Sequence, residues 1–169
     1  MAGLSSLQIG WLNRAAEYYV AARHLMREPL FGPAAFCGYH AIELMLKLAL
    51  IRHDASFVPR ETGHALAKMV RMLNNKTRVK PPLHVPEYFY HQQRLLSVAR
   101  YPRHGRGVLL PIFEFIEDLD RVFAELACLV GIPRNTRLAV AALSPRSRLG
   151  QMLAEDNSSI DLLRSAVQR

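Results

Sequence analysis

Residues 34–51 read AAFCGYHAIELMLKLALI, and this run limits the fold more than any other part of the 169-residue chain. It is nearly long enough to cross a bilayer, but His40, Glu43 and Lys47 interrupt it. A charge near a bilayer centre costs roughly 2.5–3.5 kcal/mol on insertion scales. The run is therefore expected to be the buried central helix of a bundle and not a membrane span. A helix that is apolar nearly all round must be covered on every side. Its three polar side chains lie at i, i+3 and i+7, on one face. Buried charges need partners, so Glu43 and Lys47 are expected to pair with each other or with a facing helix. Two readings of the stripe stay open. It is a polar seam that fixes helix register or a subunit interface, or it lines a ligand cleft in which Glu43 orients an arginine. Gly32 and Gly38 would admit another helix or a ligand at close range.

The rest of the chain also has helical periodicity. Leu4, Leu7, Trp11, Ala15, Tyr18, Ala22 and Leu25 predict a helix over about 4–27. Pro29, Gly32 and Pro33 end it, and the second helix covers about 33–53. A loop with Pro59 and Gly63 leads to a short helix at about 64–74. Lys80-Pro81-Pro82 breaks the chain, and Pro86-Glu87 suits the first turn of a fourth helix reaching about Ala99. A fifth helix is expected over about 108–130. Its stripe is Ile112, Phe115, Ile116, Leu119, Val122, Phe123 and Leu126, and Gly131 and Pro133 stop it. No alternating pattern, hairpin turn or internal repeat competes. The expected fold is all-α: an antiparallel four- to five-helix bundle over residues 1–133, with a C-terminal helical extension over 134–169. That extension, rich in serine, is expected to form one or two short helices or to be partly disordered.

The net charge of +8 is concentrated. Residues 62–113 hold nine basic residues against a single acid, Glu87, while the remainder has 13 of each sign. Such a concentration points to an anionic partner, with a solvated basic face as the plain alternative. The densest part is SVARYPRHGRG, residues 97–107. Arg100 ends a helix, where the dipole favours a cation. Arg103, His104 and Arg106 sit among glycines that expose backbone N–H groups to phosphate, and arginine suits bidentate phosphate contact. Tyr101 either stacks on a base or packs. Metal-free RNA cleavage would need a histidine and a cation for the phosphorane, and His104 with Arg100 or Arg103 supplies those types. His64, after Gly63, is expected to anchor the start of its helix.

Several chemistries are missing from the sequence. No histidine pair has metal spacing with carboxylates beside it, so no metal and no cofactor is expected. No phosphate-binding glycine loop or nucleophile elbow occurs. The segment MAGLSSLQIGW lacks the basic start and apolar run of a secretory leader. Cys37 and Cys128 lie in helical runs with no disulfide pattern. A cytoplasmic location is expected.

Taken in order, Tyr18-Tyr19 and Ala21-Ala22, the Glu43…Lys47 helix, GHALAKM with Gly63-His64, and Arg100-Tyr101-Pro102 resemble a HEPN domain. The likeness covers about residues 10–130 and is similar to the branch encoded beside a minimal nucleotidyltransferase. It implies a compact dimerising bundle that binds nucleotides or RNA near the dimer interface. It also implies a nucleotidyltransferase partner, or RNase toxin activity in a toxin–antitoxin-like pair. The chain departs from the RNase pattern, which has an arginine, four to six residues, then a histidine. Arg100 to His104 encloses only three, and Arg78 to His84 has the spacing but straddles Pro81-Pro82. Arg103 also stands where that branch usually carries an acid. The leading expectation is a homodimeric nucleotide- or RNA-binding module using Arg100, Tyr101, Arg103, His104, Arg106, Glu43, Lys47 and His40. The alternatives are a metal-independent endoribonuclease using His104 and Arg100, and a dimerising scaffold without ligand.

Overall fold

The computed structural model describes residues 3–90 and 112–167, with backbone only at 112 and 113. These residues form nine helices: α1 (Ser6–Arg27), α2 (Phe31–His53), α3 (Pro59–Thr62), α4 (Leu66–Thr77), α5 (Glu87–Tyr90), α6 (Ile112–Val130), α7 (Arg137–Leu143), α8 (Arg148–Ala154) and α9 (Ile160–Ser165). Among the described residues no strand occurs, only one parallel bridge between Ile132 and Val167. The expected helix to Ala99 is seen only as α5, because residues 91–99 lie outside the described residues.

Local chemistry accounts for the ends. Ser5 and Gln8 cap α1 reciprocally: Gln8 N–H donates to Ser5 Oγ at 3.3 Å, and Ser5 N–H to Gln8 Oε1 at 2.7 Å. This pair satisfies two amides that the first turn leaves without partners. Thr136 Oγ1 and Ser147 Oγ cap α7 and α8 in the same sense. Arg78 closes α4 at φ 51°, in the left-handed region where glycine or asparagine is commoner.

The bundle is organised around α2, whose Ile42, Met45, Leu46, Ala49 and Leu50 are fully buried. It is long and apolar enough to cross a membrane by length and composition, but 67% of its most apolar window is buried inside the protein. Antiparallel α1 covers one side: Leu7 and Trp11 near its start share a hollow with Ile51 near the end of α2. On the others, α4 and α6 run in the same sense as α2. Early α2 meets early α4 through Tyr39 and His64, and late α2 meets late α4 through Asp54 and Lys76. Gly38 faces Phe115 and Leu119 of early α6, while His53 meets the Leu129 carbonyl at its end. A Cβ on Gly38 would stand 2.7 Å from the Phe115 ring, so this glycine permits the close approach of α6. Gly32 has nothing within 4 Å and serves no such purpose.

The buried face of α1 differs from the expected stripe. Leu12, Ala15, Ala16, Tyr19, Ala22 and Arg23 are inside, while Leu7 is 71% exposed and Tyr18 only half-buried. The rotation has a polar cause. Arg23 hydrogen-bonds Asp120 of α6 and the backbone carbonyl of Glu155. Tyr19 donates to Asp120 Oδ1 at 2.6 Å and accepts from Asn157 Nδ2 at 2.9 Å. Burial pushes the Asp120 carboxyl up, against the Arg23 guanidinium and Tyr19 hydroxyl that hold it down.

This network also fixes the C-terminal segment, which forms three short helices where one or two were expected. Leu138, Ala139, Leu153 and Leu163 are buried against the bundle. Ile132 N–H donates to the Ala166 carbonyl at 2.9 Å, pinning the end of the chain beside the end of α6.

Candidate functional site

The polar stripe of α2 converges on one carboxylate. Lys47 Nζ lies 2.6 Å from Glu43 Oε1, one helical turn away. His64 Nδ1, delivered from the chain before α4, lies 2.9 Å from the same oxygen. His40 Nδ1 stands 3.3 Å from Oε2, an ion-pair contact; Oε2 accepts no hydrogen bond among the described residues. The Glu43 side chain is only 4% exposed, while that of His64 is 62% exposed. Three basic side chains therefore surround one buried acid, and one of them reaches solvent.

Two backbone features place His64. Gly63 adopts φ 53° and ψ −118°, a conformation that a side chain would oppose. The Tyr39 hydroxyl donates to the His64 carbonyl at 2.5 Å, tying this turn to α2. Burial and the Glu43 charge push the Tyr39 hydroxyl well above its ordinary value, so it stays a donor. The His40 ring sits among Tyr18, Phe36 and Tyr39, with ring centroids 4.5–5.4 Å away.

The electrostatics follow from this geometry. Burial alone would push the Glu43 carboxyl up, but contacts from His40, Lys47 and His64 and the Lys47 charge outweigh it and hold it at about 2. Glu43 is thus an anion that only accepts hydrogen bonds. The His64 nitrogen against it must be a donor, so Nδ1 carries the proton and Nε2 is left for another partner. A buried carboxylate that fixes a histidine tautomer is an arrangement used to present Nε2 for phosphate binding or proton transfer.

A basic surface continues from this cluster along α4. Arg60, Lys68, Arg71, Lys76, Arg78 and Lys80 are all exposed, against Glu61 as the one exposed acid between residues 60 and 80. Lys76 pairs with Asp54 at 3.0 Å, and Lys68 caps the Glu61 carbonyl at 3.3 Å. Among the described residues, no group of three His, Cys, Asp or Glu side chains is placed to hold a metal ion.

The structure thus brings together His40, Glu43 and Lys47 of the expected site, and adds His64 to them. Arg100, Tyr101, Arg103, His104 and Arg106 lie outside the described residues. His64 was legible in sequence only as an anchor of its helix start; its contact with Glu43 depends on how α4 docks on α2. Cys37 and Cys128 are free thiols, half-buried and exposed respectively.

A family model for the HEPN domain matches residues 10–108, more than half of the chain. The matched span runs from α1 through α5 and includes the Glu43 cluster. No curated protein and no solved structure matches the chain.

Proposed function

The chain belongs to the HEPN domain family, whose members are generally RNA-binding or RNase modules, and on that premise we propose that it binds the phosphate of a nucleotide or of RNA beside the Glu43 cluster. One observation carries this reading. A buried, ionised carboxylate holds Lys47, His40 and His64 around itself and leaves the His64 ring at the surface. Glu43 acts as the positioning group, and His64 Nε2 together with the basic loop contacts phosphate. Arg100, Arg103 and Arg106 supply cationic contacts, His104 a further donor, and Tyr101 a face for a base. The module works as a cytoplasmic homodimer, and a minimal nucleotidyltransferase in a toxin–antitoxin-like pair is its proposed partner. The local excess of positive charge supports an anionic ligand over a scaffold role.

Titration of a labelled short RNA at two salt concentrations tests this. Each phosphate contact on a single strand contributes about −0.7 to the slope of log K against log salt. Arg100→Ala/Arg103→Ala should weaken binding and flatten the slope by about 1.4 if both arginines hold phosphate. Unchanged affinity and slope would sink the assignment.

A second reading is metal-independent RNA cleavage, and the Glu43–His64 contact favours it by presenting a histidine of fixed tautomer. The sequence points instead to His104 with Arg100. Cellular RNA incubated with the protein in EDTA separates these readings. Cleavage lost in His64→Ala or in His104→Ala names the residue, and intact RNA throughout leaves the module a binder.

A further inference from the structure

The hollow that Leu7 and Trp11 of α1 share with Ile51 of α2 has no residue in common with the Glu43 cluster. Its volume is about 550 Å³, and Phe57, Val58 and Pro59, at the entry to α3, complete its apolar wall. Its polar lining residues are Ser5, Gln8 and Arg60. The Ser5 and Gln8 side-chain oxygens accept each other's backbone amides in the α1 cap, which leaves the Ser5 hydroxyl and the Gln8 side-chain N–H groups as donors. Arg60 is exposed, and its guanidinium makes no hydrogen bond or ion pair among the described residues. Among the described residues no acid lines the hollow. An apolar wall edged by donors, one of them a cation, suits an apolar group with an anion beside it.

The positive charge continues past the rim. Lys68 Nζ of α4 reaches the Glu61 carbonyl at 3.3 Å, so its charge lies against α3, which also carries Arg60. Arg71 follows three positions on, exposed on the same face of α4. Leu7 and Val58 stand exposed at the edge of the hollow. Small-molecule sites bury most of their ligand's surface, and a small molecule here would leave both residues wet. A nucleic acid backbone would meet the cations and leave the apolar wall uncovered. A protein segment covers both, and exposed apolar patches with a charged rim are characteristic of protein contacts.

We infer that this hollow is a docking site for an acidic segment of a partner protein: a leucine or phenylalanine of the segment fills it, and carboxylates beside that residue pair with Arg60 and Lys68. The apolar side chain anchors the segment, and the charges select it over basic or neutral sequences.

Trp11 is the chain's one tryptophan, so its fluorescence reports occupancy of the hollow in the unmodified protein. Selection of a random peptide library on the immobilised full chain should enrich sequences with a leucine or phenylalanine beside two or more acids. A synthetic peptide of that kind, without tryptophan, should shift the Trp11 emission and saturate. Arg60→Glu should weaken its binding by about tenfold or more. Leu7→Gln, also at an exposed position, should weaken it several-fold, and neither variant should lower the melting temperature appreciably. Glu43→Gln should leave peptide binding intact, so failure of the Glu43 site and failure of this one are distinguishable. Short RNA should leave the Trp11 emission in place. Enrichment of basic peptides or of none, or peptide binding that Arg60→Glu leaves unchanged, overturns the inference. So does RNA that shifts Trp11 emission with the same Arg60 dependence, or emission that shifts with protein concentration alone, which would put a second copy of the chain in the hollow.

Discussion

His64 Nδ1 lies 2.9 Å from Glu43 Oε1 across 21 positions of sequence, and the turn at Gly63 and the Tyr39 hydroxyl hold it there. Glu43 is thereby both a structural and an electrostatic centre, and its removal has a defined cost.

Glu43→Gln keeps the shape but leaves Lys47, 13% exposed, without its anion. A loss of about 1–3 kcal/mol is expected in urea unfolding at neutral pH. The acid response gives a sharper test. The folded carboxyl is held at about 2, below its ordinary 4.5. Its contribution is fully present above about pH 4.5 and is lost as pH falls toward 2. The wild type should therefore lose stability faster than Glu43→Gln across that window, by up to about 3 kcal/mol. Parallel pH profiles would contradict the assignment.

Arg23 and Asp120 are 4% and 1% exposed and pair with each other. Arg23→Ala strands a buried carboxylate and should cost about 3–5 kcal/mol. Replacing both, as Arg23→Met/Asp120→Leu, should recover much of the loss, since apolar groups of similar volume often substitute for a buried pair. Thermal unfolding of Arg23→Met, Asp120→Leu and the double variant closes the cycle. Additive losses would mean that the pair is not coupled.

Gly150→Ala should be far more damaging than Gly32→Ala. A Cβ at Gly150 would meet the Ser144 carbonyl oxygen at 2.1 Å and the Ala141 oxygen at 2.7 Å, both backbone atoms of the preceding helix and turn. These have little room to yield, and a loss of about 1–3 kcal/mol or more is expected. Gly32, on α2 with open space around it, should tolerate alanine or gain up to about 1 kcal/mol. Equal melting temperatures would contradict the packing described here.

Truncation after Pro133 removes the partners of Tyr19 and Arg23 supplied by Asn157, Met152 and Glu155. It also uncovers apolar surface of α1 and α6. The shortened chain should melt well below the full one or lose its cooperative transition in calorimetry. An unchanged transition would make residues 134–169 an independent appendage.

Much of this architecture was legible in sequence, because helical periodicity and the Pro and Gly stops act locally. The all-α bundle, the central α2 and the convergence of Glu43 with Lys47 follow from such signals. The rotation of α1 did not, since it depends on Asp120, about a hundred residues away in sequence. An acid inside the apolar stripe of α6, next to Leu119 and two before Val122, was the available clue. Likewise a histidine after a glycine says that a turn begins there, but not which carboxylate it will meet. The tail's serine-rich composition pointed neither to the cap that Ser147 makes on α8 nor to the surface on which its helices dock. The basic loop at 97–107 lies outside the described residues.

The most direct measurement of the central claim is a histidine-selective NMR titration of the protein with a short RNA. Ligand at the Glu43 cluster should shift the His64 ring resonances, and those of His40 to a lesser degree. His53, whose Nε2 is engaged with the Leu129 carbonyl at 3.0 Å, should not move. RNA binding that leaves the His64 resonances in place would contradict the account.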